Sequence, residues 1–244
     1  MKRRLALAAA GISLLAVTAG AFAVTHGLTV RTGEFDPLKT RLVQAAWVNG
    51  IGCPTNARTA TFAGDQLVHG QPYTDPACTT GDRRDRHVRG LLLAKTGPTP
   101  NVAAAVAQIG GVRGKALTEL GYDLRKPAGA SDPRGSHCGA GAPRFNVVAA
   151  DGSLFFIGCN SPAADVAAVG DGWIRLRWGG TAPLNAFPAS GGGPVDIRGM
   201  TVESISIVFD EGQDTGPDQF GLAVLDNVDV NGRLVGTGGV SAGN

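Results

Sequence analysis

Apolar and polar positions along this chain alternate with a period of two, in short bursts separated by turn-forming residues. Residues 115–125 show it best: Ala116, Thr118, Leu120, Tyr122 and Leu124 share one side, and Leu117, Glu119, Gly121 and Asp123 the other. Successive side chains of an extended strand point to opposite faces, so this spacing predicts a half-buried strand. Residues 173–178 repeat the pattern, with Trp173, Arg175 and Arg177 set against Ile174, Leu176 and Trp178. Residues 144–148 and 154–157 flank Ala149-Ala150-Asp151-Gly152, and Asp-Gly between two such runs is a hairpin signal. Residues 202–232 read as two apolar strands joined by an acidic loop containing Gly and Pro, the best-defined hairpin-like unit of the chain.

Further strands are expected at residues 44–48, 59–63 and 87–95, the last carrying a triple Leu that implies burial on both faces. Residues 101–109 are alanine-rich, which favours helix, but their length of nine and the bounding Pro100 and Gly110-Gly111 favour a strand. Long Gly, Pro and Thr-rich segments separate these elements, notably residues 53–85 and 126–143. About nine short strands, 37 Gly, 14 Pro and no amphipathic helix point to an all-β fold, a single jelly-roll-like β-sandwich with long loops and little helix.

The chain opens with Lys2, Arg3 and Arg4, an apolar run over residues 5–17, and Ala21 and Ala23 in small-x-small spacing. This is the form of an export signal, placed at residues 1–23, too short in its apolar part for a bilayer span. A secreted protein without a transmembrane segment in its mature chain is expected, with an N-terminal arm at 24–34 and the sandwich at 35–244. Cleavage removes three of the 22 basic residues, leaving 19 against 20 acidic, a formal charge of −1. That balance argues against nucleic acid, whose binding rests on an excess of Lys and Arg. Four cysteines in an oxidising compartment predict two disulfides. Cys53–Cys78 would staple the first long loop, and Cys138–Cys159 lie near the open ends of the 144–157 hairpin, so these pairings are preferred over the other two connectivities.

The densest chemistry is acidic. Asp210, Glu211, Asp214 and Asp218 fall in one loop with Gly212 and Gly216, and Asp226 sits inside the following apolar strand. Calcium takes six to eight oxygen ligands, and such a loop can supply several, so these five residues are the candidate metal ligands and calcium the candidate cofactor. A carboxylate within a strand must be paired, hydrogen-bonded or placed at a bulge, which gives Asp226 a structural reading as well. Trp173, Arg175 and Arg177 on one strand face are the candidate ligand platform, combining stacking with hydrogen bonding. Gly135-Ser136-His137-Cys138-Gly139 does not match the nucleophile-elbow spacing. Glu119 and Asp123 lie four residues apart on one strand face, about 13 Å, beyond the separation glycoside hydrolysis needs.

Residues 221–232, GLAVLDNVDVNG, resemble the last strand of carbohydrate-binding jelly-roll modules, and residues 91–159 are similar to stretches of secreted bacterial proteins. The jelly-roll resemblance implies glycan binding, often with a structural calcium, and carries over Asp226 and Asn227 as strand-end positions. The leading expectation is a secreted, non-catalytic sandwich binding a glycan or cell-envelope component. Two alternatives stand beside it: a secreted polysaccharide hydrolase pairing Glu119 or Asp123 with a carboxylate from another strand, and a structural or partner-binding envelope protein.

Overall fold

A computed structural model describes residues 27–54, 58–64, 66–72, 75–78, 87–125, 138, 141–169, 172–215 and 221–235. The expected export signal therefore lies outside the described residues. Among the described residues, the elements longer than a single residue are β-strands and a 3-10 turn at Pro76–Cys78. Seven strands form a first antiparallel sheet: β1 (Thr29–Phe35), β6 (Ala104–Gly110), β14 (Val202–Phe209), β8 (Arg144–Ala149), β9 (Leu154–Ile157), β12 (Asn185–Pro188) and β13 (Val195–Asp196), in that spatial order. A second holds β10 (Asp165–Val169), β11 (Ile174–Gly179), β7 (Glu119–Arg125), β15 (Leu222–Val230), β5 (Gly90–Lys95) and β2 (Val43–Val48), with β16 (Arg233–Val235) beside β15. β3 (Arg58–Ala63) and β4 (Gln66–Pro72) pair apart from both.

The chain passes from sheet to sheet along its length, as a jelly roll does, and the two inner faces share one core. Alternation explains which residues enter it. Leu120, Tyr122 and Leu124 of β7 and Ile174, Leu176 and Trp178 of β11 point inward, and Phe145, Val147, Ile205 and Ile207 meet them from the first sheet. Tyr122, Phe145 and Trp178 pack ring against ring with centroids 5.3 to 5.9 Å apart, Trp178 edge-on to the other two. Each polar handle is satisfied, as buried Tyr and Trp require. Tyr122 Oη donates to the Pro143 carbonyl at 2.8 Å, and Trp178 Nε1 to the Pro162 carbonyl at 3.0 Å. Burial raises the Tyr122 pKa well above its usual value.

Both preferred disulfides are present, Cys53–Cys78 and Cys138–Cys159. The alanine-rich segment resolves to strand from residue 104 on, as β6. Two expectations fail. Residues 29–34 are not an arm, because β1 pairs along its whole length with β6. Nor do residues 202–232 form a hairpin: β14 lies in the first sheet between β6 and β8, β15 in the second between β7 and β5. Two apolar runs around a polar loop suit a crossover as well as a hairpin, and here each run buries its face in a different sheet.

Candidate functional site

Trp173, Arg175 and Arg177 do share one side, the outer face of the second sheet, but that face is closed. Trp173 is 1 % exposed, packed with Cys53, Ala77, Cys78 and Val224, and the Arg125 guanidinium lies 5.4 Å from its ring centre. The loop held by Cys53–Cys78 is laid across the sheet, so the aromatic offers no platform to a ligand. Beneath that loop Arg175 grips Asp123 with two bonds of 2.8 Å, Nε to Oδ1 and Nη2 to Oδ2, and Nη2 also donates to the Ala77 carbonyl. Asn227 adds its amide to Asp123 Oδ2 at 2.7 Å, from a left-handed backbone (φ 46°) in the irregular stretch where β15 shifts register against β7. Asp226 accepts from the Cys53 amide at 2.6 Å and the Asn227 amide at 2.7 Å, which fastens the loop to the sheet. Trp173 and Arg175 thus belong to a clasp under a covering loop rather than to an open binding face.

The neighbouring row holds Arg177, Gly121 and Asp229 side by side. Gly121 is required here: a Cβ would stand 2.4 Å from Arg177 Cδ, so the bare backbone lets the guanidinium cross to Asp229, 3.0 Å away. Burial first, then a hydrogen bond that protonated Asp229 donates to Glu119, raises the Asp229 pKa to about 7, while Arg177 pulls the other way. Glu119 therefore does meet a carboxylate from another strand. Asp123 is sealed from solvent.

The candidate calcium ligands disperse. Asp210 forms a bidentate pair with Arg144 at 2.6 and 2.7 Å. Glu211 turns into the fold and accepts from the Ala142 amide at 3.1 Å. Asp214 takes the Thr99 amide and hydroxyl at 2.6 and 2.7 Å, which holds its pKa below the usual carboxylate value. Asp226 belongs to the clasp, and Asp218 lies outside the described residues. Among the described residues, no three His, Cys, Asp or Glu side chains gather as a metal site. The acidic loop answers its charge with Arg144, backbone amides and the Lys95 ammonium.

The outer face of the first sheet has a different character. Paired residues place Arg31, Gln108, Ser206, Asn146, Phe156 and Phe187 in one line across six strands. Their neighbours Val30, Ile109, Ile205, Phe145, Phe155 and Ala186 are buried, which turns the line outward. At ~4.8 Å per strand the line extends about 24 Å. Phe156 and Phe187 sit directly opposite each other on β9 and β12, both half-buried. Arg144 stands 5.8 Å from the Phe156 ring centre, bonds Asn146 Oδ1 at 3.2 Å, and is fixed by Asp210. Val106 and Val208 flank the line on one side, Val148 and Leu154 on the other. Sequence reasoning did not single out this line, since each strand contributes one ordinary residue. The signal within reach was Phe155-Phe156 in β9, of which alternation must send one outward.

No family model matches the chain, and no curated protein does. Two solved structures are similar over most of its length. One is the family 11 carbohydrate-binding module of the cellulosomal cellulase Lic26A-Cel5E of Clostridium thermocellum, 11 % identical, with 88 % of this chain and 91 % of that one covered and a TM-score of 0.35. The other is a family 11 carbohydrate-binding module from the same organism in complex with a beta-1,3-1,4-mixed-linked tetrasaccharide, 10 % identical, 87 % and 97 % covered, TM-score 0.33. The chain is weakly similar to carbohydrate-binding modules of jelly-roll type.

Proposed function

We propose that this protein is an exported, non-catalytic glycan-binding protein that lays a linear, uncharged saccharide across the strands of its first sheet. The observation behind this reading is the outward line from Arg31 to Phe187, with two facing phenylalanines at one end and amide, hydroxyl and guanidinium groups along the rest. Sugar rings present apolar C–H faces and a rim of hydroxyls, so they suit aromatic rings set beside fixed donors and acceptors. Phe156 and Phe187 supply the stacking surface. Asn146, Ser206 and Gln108 can exchange hydrogen bonds with hydroxyls, and Arg144 keeps its orientation because Asp210 grips it from behind. The ion pair brings no net charge to the middle of the line, which favours a neutral chain over a polyanion. A carboxylate bound by two guanidinium bonds, as Asp210 is, is poorly suited to general acid or base work, which supports binding without cleavage.

Affinity electrophoresis and calorimetry of the mature domain against soluble neutral polysaccharides test this. One or more should bind, and Phe156→Ala or Phe187→Ala should each weaken binding about 3- to 10-fold, the scale of one aromatic contact, with the fold retained and the melting temperature lowered by only a few degrees through the lost cross-strand pair. Failure to bind any neutral glycan, or retention of full affinity in the double variant, would overturn the reading.

A further inference from the structure

Lys95 ends β5 and is 0 % exposed, an unusual place for an ammonium. Its Nζ donates to three main-chain carbonyls: Thr99 at 3.1 Å, Asp210 at 2.9 Å, and Asn101. An ammonium has three N–H donors and no acceptor, so the match is complete. Three carbonyl oxygens converging on one point repel each other unless something positive lies between them, and they are the hard oxygen donors a small cation takes.

The surroundings are built around that point. Thr99 binds Asp214 through both its amide and hydroxyl, and its hydroxyl accepts from the Gly212 amide at 2.9 Å. The Gln213 amide reaches the Gly97 carbonyl at 3.2 Å. The two loops meet so closely that a Cβ on Gly212 would stand 1.9 Å from the Gly97 oxygen, and one on Gly221 2.1 Å from the Lys95 oxygen. Burial lowers the Lys95 pKa, and the Asp210 and Asp214 carboxylates oppose that shift. Desolvation of this ammonium is therefore costly, and the carbonyls and carboxylates around it offset the cost.

We propose that the junction of residues 96–101 with residues 210–215 is a cation site whose resident cation is the chain's own Lys95 ammonium, so that the acidic loop is held without a metal ion. The side chain is the tether and its head group the ion. Removal of the head group leaves three inward-facing carbonyls, in the field of the Asp210 and Asp214 carboxylates, a cavity with affinity for a small ammonium or a metal cation supplied from solution.

Thermal unfolding of wild type, Lys95→Ala and Lys95→Met, each with EDTA, with calcium, and with ethylammonium chloride against NaCl of equal ionic strength, provides the test. Wild type should melt at the same temperature with EDTA as with calcium. Both variants should melt roughly 5–10 °C lower. Lys95→Ala should recover part of the loss in ethylammonium or calcium, and Lys95→Met should not, because its stem still fills the cavity. A wild-type melt that falls in EDTA, a Lys95→Met protein as stable as wild type, or a Lys95→Ala protein that no cation restores would each overturn the proposal. Should the variants fail to fold, native reductive methylation of wild type decides: Lys95 should stay unmodified while exposed Lys39 reacts, and equal reaction would refute a caged ammonium.

Discussion

Replacing Arg175 by methionine keeps much of the stem's length and deletes the guanidinium that holds the loop of residues 49–54 and 75–78 against the second sheet. Two bonds to Asp123 disappear, together with the bond to the Ala77 carbonyl. Asp123, fully buried, keeps the Asn227 amide and a more distant Arg177, 3.8 Å away. Breaking one partner of a buried pair costs about 3–5 kcal/mol, because the remaining charge is stranded rather than because the pair was worth that much. For a protein of this size each kcal/mol moves the midpoint about 2–4 °C, so a fall of roughly 6–20 °C is expected. Urea and thermal unfolding followed by tryptophan fluorescence measure it. The Asp123→Asn, Arg175→Met double variant, with no charge left to strand, should recover a good part of the loss, and the cycle gives the coupling energy. An Arg175→Met protein within about 1 kcal/mol of wild type would refute the clasp, as would one that kept its stability and lost glycan binding, since that is the behaviour of a ligand-contacting arginine.

The raised pKa of Asp229 makes stability pH-dependent with a definite sign: between 3.8 and about 7 the folded state holds a proton that the unfolded chain has released, so the contribution of this group falls as pH rises through that window and is level above it. Asp229→Asn should abolish that slope, read as the wild-type minus variant difference in urea midpoint from pH 4.5 to 8; an identical slope in both proteins would show that another group titrates. Removing the Cys53–Cys78 bond by a double Cys→Ala substitution should cost about 3 kcal/mol, from loop closure alone, and uncover Trp173 to acrylamide quenching, whereas unchanged quenching would mean that the loop stays seated without its staple.

What the sequence determines by itself here is local. The two-residue alternation of residues 115–125 places Leu120, Tyr122 and Leu124 in the core, Asp151-Gly152 joins β8 to β9, and proximity along the chain favours the disulfide partners that form. Alternation divides a strand into two faces and is silent about which of them another segment will cover. Residues 173–177 show the consequence: Ile174 and Leu176 face the core as their spacing requires, yet the opposite face, apparently open, lies under a loop from about a hundred residues earlier. Only the tertiary structure sends β14 and β15 to different sheets, turns Asp210, Glu211, Asp214 and Asp226 toward unrelated partners, and lines up Arg31, Gln108, Ser206, Asn146, Phe156 and Phe187 from six separate strands. Strand order and loop coverage are settled by long-range burial, a free energy spread over the whole core, and no short stretch of residues carries it.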